Sequence, residues 1–184
     1  MGLTLHLVRH GATEWSDAGR FNGWTDVSLN ATGVEQAHSL REALPLRADI
    51  PIWSSDLVRA TMTAAILGPY RVDRRLREID FGTLEGLTWD RCAAEVQQAL
   101  LDFDRFAAPG GESVVDLTAR VDDFLAEIAR DEKGSHEHVV VTHGGVIRAL
   151  LRRTATDAIV RPGTFVTVEV DVAVAAESPP AHNR

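Results

Sequence analysis

Two apolar runs end in histidine followed by glycine: Val8-Arg9-His10-Gly11 and Val141-Thr142-His143-Gly144. A neutral imidazole is a competent nucleophile at phosphorus. A buried phosphate dianion needs donors that keep their charge, and the planar fork of arginine meets that need best. Arg9 stands beside His10, and Arg59 falls in the first turn of a helical pattern just past another apolar run. A cation there is unfavourable against the helix dipole unless an anion binds nearby. The amides of Gly144 and Gly145 open a further helix and offer N–H groups to the same anion. Each feature alone is weak. Their convergence from three strand-to-helix junctions points to a phosphate site.

The elements that must position these groups follow from hydrophobic period and turn signals. Leu3–Val8 reads as a buried strand, followed by a polar, glycine-containing loop to about Leu29. Asn30 to Gly33 opens a helix with Val34, Ala37, Leu40 and Leu44 on one face, closed by Pro45. Ile50–Trp53 is a short strand, and Ser54, Ser55 and Asp56 are candidate caps for the next helix, which ends at Gly68-Pro69. Thr88–Phe106 is mixed but mainly helical. Ser113 is placed to cap a strongly amphipathic helix bearing Val114, Leu117, Val121, Phe124, Leu125 and Ile128. His138–Thr142 is a second buried strand, leading to a helix over about Val146–Arg153, and Thr164–Val172 is a last, alternating strand. Strands alternating with helices imply a mostly parallel sheet covered on both faces, an α/β fold in three layers. Ligands of such sheets bind at the carboxyl ends of the strands, so His10 and His143 belong on one edge. Residues 1–172 read as one domain and 173–184 as a frayed tail.

Composition narrows the function classes. With 184 residues and 45% apolar content the chain can bury a substantial core. A net charge of -8 argues against a nucleic-acid or membrane-surface binder. A lone cysteine, Cys92, allows no internal disulfide and no thiolate zinc site, and reads as a packing residue. No run approaches the roughly 18 apolar residues of a membrane span, and no leader precedes the first strand, so a cytoplasmic location is expected. No metal or other cofactor is expected. The partner is a small phosphorylated metabolite, and the oligomeric state is left open, with a homodimer as one option.

The ordered blocks Leu7-Val8-Arg9-His10-Gly11-Ala12-Thr13-Glu14-Trp15, Gly23-Trp24-Thr25-Asp26 and Ser54-Ser55-Asp56-Leu57-Val58-Arg59-Ala60 are similar to those of the histidine phosphatase superfamily, the phosphoglycerate-mutase-like proteins. Leu76-Arg77-Glu78, Phe81-Gly82-Thr83-Leu84-Glu85-Gly86, Pro109-Gly110-Gly111-Glu112-Ser113 and Val141-Thr142-His143-Gly144-Gly145 continue the resemblance, over about residues 4–150. It implies a phosphoglycerate-mutase-like three-layer α/β/α sandwich. It further implies His10 as nucleophile, Arg9, Arg59 and His143 as the phosphate clamp, and Glu78 as proton donor. Gly144, Ser16, Asn22 and Gly23 are further substrate contacts. Ser16 stands where the family often has asparagine, and the shorter side chain puts that contact in question. In this scheme the neighbouring arginines keep His10 neutral, and a protonated His143 helps spread charge over the transferring phosphoryl group.

Blander readings remain beside these. His6 is a structural strand histidine, His38 is exposed, and His136 and His138 are solvated surface residues rather than a metal site. Glu85 competes with Glu78 as the acid. Trp15, Phe21, Trp24 and Phe81 either line the mouth of a cleft or pack within loops. Mutases resembling this chain carry a long insertion between the acidic loop and the Pro-Gly-Gly-Glu-Ser turn. Here Glu78 and Glu112 stand only 34 residues apart, which favours hydrolysis over mutation. The alternatives are a phosphoglycerate mutase and a non-catalytic domain that binds phosphorylated ligands. The resemblance admits phosphoglycerates, phosphosugars, nucleoside monophosphates and cobalamin-precursor phosphates as substrates.

Overall fold

The computed structural model describes residues 2–130, 135–154 and 156–171. Strand β1 (Gly2–Arg9) leads into a loop that holds the short helix α1 (Glu14–Asp17), then α2 (Ala31–Ala43), β2 (Ile52–Ser54), α3 (Val58–Leu67) and β3 (Arg71–Val72). Next come α4 (Ala94–Leu101), α5 (Val114–Arg130), β4 (Glu137–Thr142), α6 (Gly144–Arg152) and β5 (Phe165–Asp171). The strands order as β3-β2-β4-β1-β5. All neighbouring pairs are parallel except β1 with β5, so the mainly parallel sheet carries one antiparallel edge strand.

The strand period of two builds the layers. Leu3, Leu5 and Leu7 of β1 and Val140 of β4 face a core filled by α5 and α6 through Leu117, Val121, Phe124 and Ile147. Val8 of β1 and Val139 and Val141 of β4 face the opposite core, where α2 and α3 contribute Leu40, Ala60, Ala64 and Leu67. The result is the expected three-layer α/β/α arrangement.

Chain direction then creates the crevice. The connection leaving β1 carries α2 on one face toward β2, and that leaving β4 carries α6 on the other face toward β5. Adjacent strands whose connections depart in opposite directions leave a cleft at their carboxyl ends. Arg9 is in register with Thr142, and the His10 amide donates to the Thr142 carbonyl at 3.1 Å. His10 and His143 are therefore neighbours because their strands are.

Several boundaries differ from the sequence expectation. The predicted strand at Ile50–Trp53 runs instead over Ile52–Ser54, and the helix expected near Val146 already starts at Gly144. Of the candidate caps of α3, Ser54 and Asp56 do not serve, and Ser55 Oγ accepts only from the Leu57 amide, at 3.3 Å. The cap position of α3 is Leu57, whose side chain has no acceptor, and the Val58 amide donates to Asp26 Oδ1 at 2.7 Å from a distant loop. Ser113 does cap α5, accepting from the Asp116 amide at 3.1 Å while its own hydroxyl donates to the Asp116 carboxylate. His138 is buried in β4 and accepts from the Trp53 indole, so it is not a solvated surface residue. His6 is held by side chains, Thr167 and Glu137, at 2.8 Å each. Cys92 packs in the core. Residues 173–184 lie outside the described residues.

Candidate active site

His10 follows the last residue of β1 and is 5% exposed. Its Nδ1 lies 2.7 Å from the Gly11 carbonyl, which can only accept, so the neutral ring carries its proton there. Nε2 is left with a lone pair, and Arg59 Nε donates to it at 3.3 Å. Burial holds His10 well below the ordinary histidine range. Arg59 and Arg9 add to the effect, and the Gly11 carbonyl opposes it. Burial thus outweighs the arginines that the sequence suggests as the cause.

Arg59 is fully buried in the first turn of α3. Its terminal nitrogens donate to the carbonyls of Thr25 (3.1 Å), Asn22 (3.2 Å) and Gly23 (2.7 Å), folding the loop after α1 over the site. Burial lowers its pKa to about 10, with Glu78, Asp26 and Glu85 acting the other way, so it remains a cation near neutral pH. Arg9 Nη1 donates to the Val160 carbonyl at 2.7 Å, while its Nε is buried without a partner.

His143 occupies the cap position of α6 and is wholly buried, with ring centroids 5.1 Å from His10. Neither of its nitrogens has a partner. Burial, then Arg59, His10, Arg9 and Arg120, push its pKa well below the usual value. In the free site these groups favour the neutral form of His143. The side-chain amide of Asn22 also has both polar atoms buried and unpartnered. Buried polar atoms are seldom left this way; Arg9 and Asn22 share a cavity lining with His10, and the His143 ring lies against that of His10.

Glu78 is 7% exposed, and both its oxygens accept from the Gly145 amide at 3.0 Å at the start of α6. The Gly145 amide is thus taken by Glu78 rather than offered to an anion. A side chain at Gly145 would run into the Glu78 carboxylate. The Glu78 carbonyl is held by the Trp24 indole and by Arg120 Nη2, each at 2.9 Å. Arg120 is paired with Glu112 at 2.7 Å, which links the Pro109–Ser113 turn to the acidic loop. Glu85 accepts from the amides of Trp24 (2.6 Å) and Thr25 (2.8 Å), so it shapes the loop that Arg59 grips.

Close backbone approach fixes the loop that follows His10. A Cβ on Gly11 would collide with the carbonyl of Gly33, and one on Gly33 with the carbonyl of Ala12. Gly33 sits at the start of α2, where Asn30 caps its amide at 2.9 Å.

A cavity of about 330 Å³ opens beside these groups, and its lining includes Arg9, His10, Asn22, Glu78, Gly144 and Gly145. Phe21 and Phe81 line it as well, while Trp15 packs on Gly86 and Trp24 stacks under Arg77. Ser16 borders the cavity, but its hydroxyl closes a capping box with Thr13. Trp89, Leu100 and Phe103 on the cavity wall fall in Thr83–Asp104, one of the two stretches, with Arg20–Trp24, that the sequence offers for reading the leaving group. Phe106, Arg148 and Ile159 on the same wall, and the role of Arg120, are absent from the sequence reading. None of these has a local signature, since all depend on contacts made across the fold.

The family description "histidine phosphatase superfamily (branch 1)" matches residues 5–165. The chain is 38% identical over 159 residues to a metal-independent phosphoserine phosphatase of Arabidopsis thaliana, covering 80% of this chain and 66% of that protein, just under two thirds. It is 39% identical to a glucosyl-3-phosphoglycerate phosphatase of Mycolicibacterium vanbaalenii, covering 79% of this chain and 71% of that protein. The crystal structure of a phosphoglycerate mutase from Thermus thermophilus superposes with a TM-score of 0.81 at 44% identity, covering 90% of this chain and 92% of that one. With its fold, its paired strand-end histidines and these likenesses in agreement, the chain belongs to the histidine phosphatase superfamily.

Proposed function

We propose that this protein is a phosphatase that hydrolyses small phosphate monoesters through a phosphohistidine on His10, without a metal ion. The observation that carries the reading is the neutral, buried His10, whose Nε2 lone pair lies beside Arg59, with unpartnered nitrogens of His143 and Arg9 close by. An incoming phosphoryl group takes over the Arg59 donor and frees the lone pair. Nε2 then attacks phosphorus as the bond to the ester oxygen breaks. Arg9, Arg59 and the Gly144 amide receive the equatorial oxygens. A bound dianion reverses the push on His143, which then takes up a proton and joins the clamp. Glu78 in its acid form gives its proton to the leaving oxygen. As a carboxylate it then takes one from the water that attacks the phosphohistidine, and the N–P bond breaks to release inorganic phosphate.

Among the described residues no group of three or more His, Cys, Asp or Glu is gathered as a metal site. The clamp's own cations supply the charge that a metal would. A mutase is the second reading, favoured by the 44% identity to the Thermus enzyme. Against it stands the short Glu78–Glu112 span. The test is to follow 3-phosphoglycerate and a panel of esters by phosphorus NMR, with quench-trapping of labelled protein. Inorganic phosphate and a label on His10 are expected. Rapid 2-phosphoglycerate with little phosphate would establish the mutase, and full activity in His10→Ala would end both readings.

A further inference from the structure

We infer that the alcohol half of the substrate is apolar, an alkyl or arylalkyl group held on a hydrophobic wall beside the phosphate clamp. The inference rests on the phosphate-ester reading of the site and names the class of ester. The cavity of about 330 Å³ falls within the usual range for small-molecule sites, and its lining is of two unlike kinds. One kind is the charged and amide groups described above. The other is apolar: Phe21, Phe81, Trp89, Leu100, Phe103 and Ile159. Phe21 and Phe81 make a tilted aromatic pair with centroids 5.1 Å apart. At the rim, Trp89 is 44% exposed and Ile159 is 77% exposed, so two large apolar side chains border the opening. A contiguous exposed apolar surface beside a reactive site marks where a ligand is covered.

The polar groups near this wall are mostly committed elsewhere. Arg148 is held by Asp157 at 2.8 and 3.1 Å and lies over the Phe103 ring at 4.4 Å, where it extends the flat surface. Thr13 and Ser16 satisfy each other. Arg20, on the exposed rim, donates to the Gly86 carbonyl at 2.9 Å. Among Phe21, Phe81, Trp89, Leu100, Phe103 and Ile159 no side chain carries an acceptor, and among the described residues the unpartnered side-chain amide of Asn22 is the one buried neutral polar group on the lining left to meet a ligand. A leaving group rich in hydroxyls would lose more hydration against this wall than one amide replaces. An apolar alcohol gains by burial instead. Trp89, Leu100 and Phe103 come from α4 and its flanking turns, so the stretch too short for a long lid still supplies half of the specificity surface.

Alkylphosphonates test this independently of turnover, because they present the anion but have no ester bond to break. Titration calorimetry with methyl-, ethyl-, butyl-, hexyl- and 2-phenylethylphosphonate should show Kd falling by roughly fourfold per added methylene up to butyl. The phosphonate analogue of phosphoserine should bind no more tightly than methylphosphonate. Trp89→Ser and Ile159→Ser, both at exposed positions, should reduce the gain per methylene to below about twofold. A flat series, tightest binding by the phosphoserine analogue, or an unchanged slope in both variants would overturn the inference. Phosphate release from 2-phenylethyl phosphate and from phosphoserine is then compared, with a kcat/KM advantage of at least about tenfold expected for the former. A graded phosphonate series with no phosphate released from any ester would uphold the apolar subsite and refute the hydrolase reading.

Discussion

Glu78 and Glu85 are close in sequence and both buried or half-buried, yet their oxygens meet different groups. Glu85 is tied to two loop amides, whereas Glu78 lies on the cavity wall at the start of α6. If Glu78 is the acid, Glu78→Gln should slow esters with alkoxide leaving groups by about 10²–10⁴-fold and aryl esters far less, read as kcat on a matched pair. Equal losses on both would move the role elsewhere. The two site histidines also make a statement about stability. Their folded-state pKa values lie well below the usual one, so the unfolded chain binds protons first as pH falls through about 6.5. Stability from this source is complete above that pH and is lost below it, by at most about 1.4 kcal/mol per pH unit for each group. Urea unfolding of His143→Gln should therefore show a smaller loss between pH 7.5 and pH 5 than the parent protein. An identical loss would mean that His143 titrates normally.

At the scale of elements, α3 exists to present Arg59, and its first turn is finished by a group 32 residues upstream. Asp26→Ala should cost about 0.5–2 kcal/mol in chemical denaturation, and it should weaken inorganic phosphate binding as Arg59 loses its loop. Asp26→Asn keeps an acceptor and should restore most of both. This cap also shows why part of the fold is legible in sequence and part is not. β1 and β4 are continuous apolar runs, and α5 has an unbroken helical stripe with its own serine cap, so each carries its signal locally. The strand-end positions of Arg9, His10 and His143 follow from those runs. β3 is two exposed residues, Arg71 and Val72, paired only because β2 lies beside them, and it has no signature of its own. Leu57 cannot cap, and Asp26 looks like an ordinary loop acid until the chain folds. Glu78 is selected in sequence by resemblance alone, because its environment is assembled by Trp24, Arg120 and Gly145 from three other segments.

For the whole molecule, the parting of connections between β1 and β4 places all the proposed chemistry on one edge, and no helix among the described residues is long and apolar enough to cross a membrane. If the clamp is complete without a metal, phosphate release should survive exhaustive chelation. Loss of activity, with recovery on adding Mg²⁺ or Zn²⁺, would contradict the proposed mechanism. The contact between Gly11 and Gly33 has a consequence for how this chain can vary. Most tight contacts can be repaired when one partner enlarges, because the other can shrink. Here both glycines are already the smallest residue, and each would strike backbone, Gly11 that of Gly33 and Gly33 that of Ala12, beside Gly11. No second-site change at the facing position can rescue the first. A pairwise mutational library should find both positions intolerant and the double alanine no better than either single, a pair of sites locked together with no path between alternatives. Selection for activity should return suppressors, if any, only from residues that shift α2 as a unit.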